Sequence, residues 1–253
     1  MKKIILIVLL FVGLKAANSQ NIDIMLPSEM PRESLIHHKT FSLSYNTSYA
    51  LPSWVAYKVT NKNVDKTSGV SNNYKEDPDV NIRAANKKDY KDGGYLMCQL
   101  LNYLDVMHIN DATDETFYMT NIVPMKLAFY NHIWLTAEDL IRLWISTDKG
   151  FEVFTGPVIK ADAPFTTMGK NKVSIPNRYY KVVYDPVNKK AVGFVFRNGK
   201  ASGTMKSYSL PVDEIEELTG IDFLPGLSEE EQNAIESTVD YSFWNFELEE
   251  ELK

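Results

Sequence analysis

The sequence predicts one domain of mixed helix and strand, α/β or α+β, and three observations carry that expectation. Apolar and polar residues alternate through Phe41, Leu43 and Tyr45, and a second strand-like run follows from Trp54 to Val59. From Asn131 to Ser146, residues Ile133, Trp134, Ala137, Leu140, Ile141 and Trp144 recur on one helical face. Tyr179 to Tyr184 and Ala191 to Phe196 flank a Pro186-Val187-Asn188 turn, the pattern of a strand pair. A length of 253 residues, with 44% hydrophobic, 12% aromatic and 24% charged side chains, suits a globular chain with a sizeable core and excludes a disordered one.

Residues 1–19 read as a secretory signal peptide. Lys2 and Lys3 give a positive start, Ile4 to Leu14 an apolar run, and Ala17-Asn18-Ser19 a small-x-small cleavage site that leaves Gln20 as the mature start. The run is short for a membrane span, and an uncleaved anchor is the competing interpretation. No cysteine follows it to carry a lipid. The expectation is a secreted protein, extracellular or periplasmic, with no stable membrane association after cleavage.

Residues 20–40, with Pro27 and Pro31, read as an irregular N-terminal leader. Pro52 is expected in the turn between the first two strands. Thr60 to Asp79, containing Gly69 and Pro78, reads as a loop, and Val80 to Tyr95 as a polar approach to the apolar block Leu96 to Met107. Phe117 to Pro124 reads as a strand, as does Phe151 to Ile159, stopped near Gly156-Pro157. Pro211 to Leu218 starts a short helix with Gly220 as its stop, and Ser228 with Glu231 forms a capping box that opens another. Glu247 to Lys253 reads as a solvated, frayed acidic tail. The main domain is thus expected over residues 41–227, with a C-terminal helix and tail over 228–253.

The formal net charge is −6, and loss of the signal peptide leaves 24 basic against 33 acidic side chains, a net charge of −9. A protein that grips phosphates unaided usually shows a basic face, so this balance weakens strong binding of DNA or RNA unless a local basic groove survives. The single cysteine, Cys98, excludes an internal disulfide and reads as a small buried apolar residue. Trp54, Trp134, Trp144 and Trp244 read as packing residues rather than a base-stacking platform. The sequence contains no Cys/His metal-ligand spacing, no phosphate-binding Gly-rich loop and no Gly-x-Ser-x-Gly elbow.

Several segments, in order, resemble the DNA/RNA non-specific endonuclease family. They begin with Ser44-Tyr45-Asn46-Thr47, Pro52-Ser53-Trp54-Val55-Ala56-Tyr57 and Tyr74-Lys75-Glu76-Asp77-Pro78. They continue with Asp89-Tyr90 before Gly94-Tyr95, then Glu115 through Pro124, Trp134 and Thr155-Gly156-Pro157-Val158. They close with Ile175-Pro176 before Tyr180-Lys181-Val182-Val183, and with Asp213 through Phe223. No one segment is specific; their order and spacing carry the resemblance. It implies an α+β, ββα-metal nuclease-like fold, with a central mostly antiparallel sheet flanked by helices. The implied activity is Mg²⁺-dependent hydrolysis of phosphodiester bonds in DNA and RNA.

The chemistry of that family lies in an Asp-Arg-Gly-His-Leu motif after the Gly-Tyr. Its His is the general base, its Arg holds phosphate, and an Asn on the following helix binds the Mg²⁺. Here the motif reads Leu96-Met97-Cys98-Gln99-Leu100. Gln99 takes the general-base position, where an amide cannot accept the proton of a water near neutral pH. Met97 takes the Arg position without a charge. The metal-binding Asn falls on Tyr130, with Asn131 as the fallback ligand one residue late, about 100° around a regular helix. An upstream phosphate-contacting Arg falls on Val70. Glu138 and Arg142 match the Glu and Arg that orient metal waters and stabilise charge, but their i,i+4 spacing also suits a plain surface ion pair.

Of the histidines, His37 and His38 precede the first expected strand, and His108 or His132 would have to replace the missing base. The first expectation is therefore a catalytically impaired pseudo-nuclease, needing no cofactor and acting as a binding or interaction protein. Leu96, Met97 and Tyr130 could then line a pocket for an unknown protein or ligand partner. The alternative is an active divergent endonuclease that uses Mg²⁺, and a third is a nucleic-acid binder without cleavage.

Overall fold

Alternation along the central strands sorts their side chains onto two faces, and each face collects its own helices. The computed structural model describes residues 24–60, 73–80, 84–91, 93–109, 112–145, 149–200 and 202–252. The expected signal peptide, most of the loop after Thr60, and Val70 lie outside them. Seven strands form one antiparallel sheet in the order β1 (Ser34–His37), β2 (Phe41–Asn46), β3 (Leu51–Val59), β6 (Phe151–Pro157), β9 (Arg178–Asp185), β10 (Lys190–Arg197) and β11 (Ser209–Leu210). Two small antiparallel pairs stand apart: β4 (Leu96–Gln99) with β5 (Ile122–Met125), and β7 (Thr167–Met168) with β8 (Val173–Ser174).

On one face, Val55, Tyr57, Val153, Tyr179, Val183, Val192 and Phe194 pack with Trp134, Ala137, Leu140 and Ile141 from the helical segment. That segment runs from α1 (Leu127–Phe129) through a π turn (Tyr130–Trp134) into α2 (Leu135–Trp144). On the other face, Trp54, Ala56, Phe154, Tyr180 and Val182 pack with Val212 and Ile215 of α3 (Val212–Thr219) and Ile235 of α4 (Glu229–Glu236). The fold is α+β, a mostly antiparallel sheet flanked by helices. Consecutive β4, β5 and the helix 127–144 supply the ββα unit. All four tryptophans and Cys98 are buried.

Gly220 ends α3 in the left-handed conformation, with φ of 75°, and Ser228 and Glu231 make both arms of the capping box on α4. Four local expectations are corrected. Pro52 is not in the turn; it lies inside β3 opposite Tyr45, next to a register shift between Ser44 and Tyr45 where a residue without an N–H is tolerated. The leader is not irregular throughout, because residues 34–37 form β1 against β2. Glu33 anchors it by accepting from the side chains of Ser44, Asn46 and Ser53.

The strand expected from Phe117 starts only at Ile122, after 3₁₀ turns Thr113–Phe117 and Met119–Asn121. There the Asn121 side chain bonds the backbone of Leu101 and Thr116, an alternative to ladder pairing. The acidic tail is docked rather than frayed. Residues Phe246–Leu252 form a 3₁₀ helix, Glu249 accepts from Met205 N, and the Trp144 indole donates to Asn245 O. Among the described residues no helix is long and apolar enough to cross a membrane.

Candidate functional site in the ββα unit

The side chains that the sequence singles out lie on β4, on the π turn and on α2. Trp134, Glu138 and Arg142 are four residues apart, so they share the helix side next to Ala137 and Ile141. That side is the inward one, and Glu138 is only 3% exposed. The expected surface ion pair is therefore corrected: Glu138 and Arg142 belong to a buried polar network. Their direct contact, Nη2 to Oε2, is long at 3.8 Å. Glu138 Oε2 accepts from Asn102 Nδ2 at 2.7 Å, and its Oε1 faces Lys181 Nζ at 3.6 Å. Lys181 is fully buried, with its ammonium 3.9 Å from the centroid of the Trp134 ring. Arg142 donates through Nε to Asp105 and through Nη1 to Asp139, both at 2.7 Å.

Burial sets the electrostatics. It pushes the Glu138 carboxyl above its usual range, while Lys181 and Arg142 pull it back. Burial likewise depresses the Lys181 ammonium against the pull of Glu138. For Arg142, burial alone would act downward, but Asp105 and Glu138 hold the guanidinium above its ordinary value. Glu138 Oε1, Lys181 Nζ and Arg142 Nη2 complete no hydrogen bond, so the network is held partly by charge alone.

Gln99 does not join that network. Its amide nitrogen donates to Thr116 O at 3.0 Å and Thr116 Oγ1 at 2.8 Å, and its Oε1 accepts from Tyr103 N. The segment that follows β4 reaches α2 through Asn102 and Asp105 instead. Met97 is half-buried, and its carbonyl accepts from the Tyr74 hydroxyl. Tyr130, at the start of the π turn, is also half-buried and feels the charge of Glu138. Burial raises its phenol well above the ordinary value, and Glu138, Cys98, Tyr74 and Tyr103 add to the shift.

Asn131 and His132, in the same turn, are exposed. His108 lies half-buried in the turn after Asp105. His37 bonds Ser42, and His38 is buried against Asp77, between Phe41 and Tyr118. Beside Tyr74, a cleft of about 240 Å³ is lined by Lys75, Glu76, Asn86, Lys87, Lys88 and Met119.

Sequence reasoning missed Lys181, Asn102 and Asp105 as members of the network. Strand alternation could have found the first, since Lys181 lies between the inward Tyr179 and Val183. The other two sit in a 3₁₀ turn whose reach toward α2 has no local signature.

The ββα unit and the sheet behind it are matched by a family. The profile of the DNA/RNA non-specific endonuclease covers residues 19–230. The chain belongs to the DNA/RNA non-specific endonuclease family. It is 27% identical to a nuclease of Nostoc, over 83% of this chain and 80% of that protein. It is 26% identical to a nuclease of Serratia marcescens, over 81% and 79% respectively. Nuclease C1 of Cunninghamella echinulata is 25% identical, over 76% of this chain and 83% of its own. Among solved structures, an EndoG/EndoGI complex matches in fold with a TM-score of 0.69 at 24% identity, covering 78% of this chain and 88% of that one.

Proposed function

We propose that this member of the endonuclease family is a catalytically impaired pseudo-nuclease that works as a binding protein. One observation carries the reading. At the position of the general base, Gln99 offers an amide whose nitrogen is spent on Thr116, and an amide takes no proton from water at neutral pH. The Arg of the motif is replaced by the uncharged Met97, and the metal-binding Asn by Tyr130.

The donors around Glu138 do not fit a hydrated magnesium ion. Mg²⁺ takes an octahedron of oxygens, and here Glu138 already faces an ammonium, Tyr130 holds its phenol neutral and Asn131 points to solvent. No hydrolytic step is derived through the metal. The half-buried Leu96, Met97 and Tyr130 favour a protein or ligand partner that presents an apolar face. Nucleic acid is a weaker candidate on an acidic chain.

The test is digestion of supercoiled plasmid and of RNA with Mg²⁺ or Mn²⁺, beside an active family nuclease. The expected rate is lower by more than about 10³-fold, the scale set by losing a base and a charge-stabilising group together. Restoring Gln99→His, Met97→Arg and Tyr130→Asn in one variant should raise cleavage above the parent. Robust cleavage by the parent that disappears in Glu138→Ala would overturn the proposal.

A further inference from the structure

The face of the sheet remote from the ββα unit carries a second cluster of acids. Asp213 and Glu216 project from successive turns of α3, and Glu236 is the last residue of α4. One carboxylate oxygen from each lies within 4.8 Å of the others. Asp222, in the segment after α3, adds a fourth negative charge felt by both Glu216 and Glu236. Among the described residues, none of the four forms an ion pair.

Glu236 is the telling member. It is 3% exposed, and its Oε1 is buried with no hydrogen-bond partner. A buried carboxylate without a partner is costly, and this one also sits at a helix C-terminus, where the dipole disfavours an anion. Packing does not explain the choice of residue, because a Gln or Leu there would bury the same volume without the charge. Ile235, next to it in the chain, belongs to an apolar cluster that would accept Leu.

We infer that Asp213, Glu216 and Glu236 form a site for a divalent cation, best suited to calcium, that ties α4 to α3. The donors are all carboxylate oxygens, the hard ligands that calcium takes. Carboxylates brought together from two helices meet calcium's flexible coordination more readily than the near-ideal octahedron that magnesium demands. Glu216 keeps one oxygen for the ion while its Oε1 accepts from Phe223 N at 2.7 Å, which fixes the side chain. Exposed Asp213 leaves one side open for the waters that complete the shell. The site is independent of the nuclease reading, since no residue of the ββα unit takes part.

The experiment is thermal unfolding of the full chain in chelator, in calcium chloride and in magnesium chloride, with calorimetric titration of calcium chloride. Calcium at about 100 times its dissociation constant should raise the midpoint by about 5–10 °C, and magnesium by less. Both Glu236→Gln and the exposed Asp213→Asn should lose the calcium-dependent rise; the second keeps the test valid if the first folds poorly. No rise in the parent up to about 10 mM calcium, beyond the range of weak extracellular sites, overturns the inference. A rise of equal size in both variants overturns it as well, and assigns the ion elsewhere.

Discussion

Two buried carboxylates, one on each face of the same sheet, meet opposite conditions. Glu138, on the α2 face, has an amide donor in Asn102 and two cations, Lys181 and Arg142, within 4 Å. Glu236, on the α4 face, has no ion-pair partner among the described residues, and Glu216, Asp222 and Asp213 add negative charge near it. Both are 3% exposed, and burial raises the pKa of both. The contrast teaches that burial alone does not define a carboxylate's role. With resident cations the group becomes part of the scaffold, and without them it is left open to an ion from outside.

The largest way to break the comparison is Lys181→Met, which strands Glu138 without its closest cation. Removing one partner of a buried pair should cost about 3–5 kcal/mol in denaturant unfolding. Pairing it with Glu138→Gln should recover much of the loss, and strict additivity of the two would show that they do not interact. Glu236→Gln sharpens the contrast by its opposite sign. In chelator it should leave stability unchanged or raise it by about 1 kcal/mol, because it neutralises a group with no partner. A loss comparable to that of Lys181→Met would mean that Glu236 has a hidden cation. The smallest effect belongs to Asp139→Asn. Its carboxylate is half exposed beside Arg142 and should contribute less than about 1 kcal/mol, further reduced by salt.

Much of the sheet was legible because its strands carry local alternation: β2, β3, β6, β9 and β10 stand within a few residues of their expected places. Helices α3 and α4 were legible through Gly220 and the Ser228–Glu231 box, which act within a turn. What was not legible depends on distant partners. Strand β1 has one inward residue, Ile36, and exists because Glu33 is anchored by Ser44, Asn46 and Ser53. The docked tail depends on Trp144 and Met205, far back in the chain. In the site, the order and spacing of the segments pointed to the family, which the matching profile bears out. The network around Glu138 could not be read that way, since Asn102, Asp105 and Lys181 converge only when β4, β9 and α2 pack. Helix counting was also incomplete: the π turn at Tyr130–Trp134 breaks the regular rotation assumed for Asn131, though Asn131 still faces solvent.

The docking of the last residues has a consequence for biosynthesis. Trp144 and Phe194 are covered by Trp244 and Phe246, and the Trp244 indole donates to Ala191 O on β10. A nascent chain halted before these residues leave the ribosomal tunnel holds its sheet and α2 with an aromatic surface still wet. The sticky interval ends only when that closing segment emerges, so truncated products should be the ones that chaperones retain.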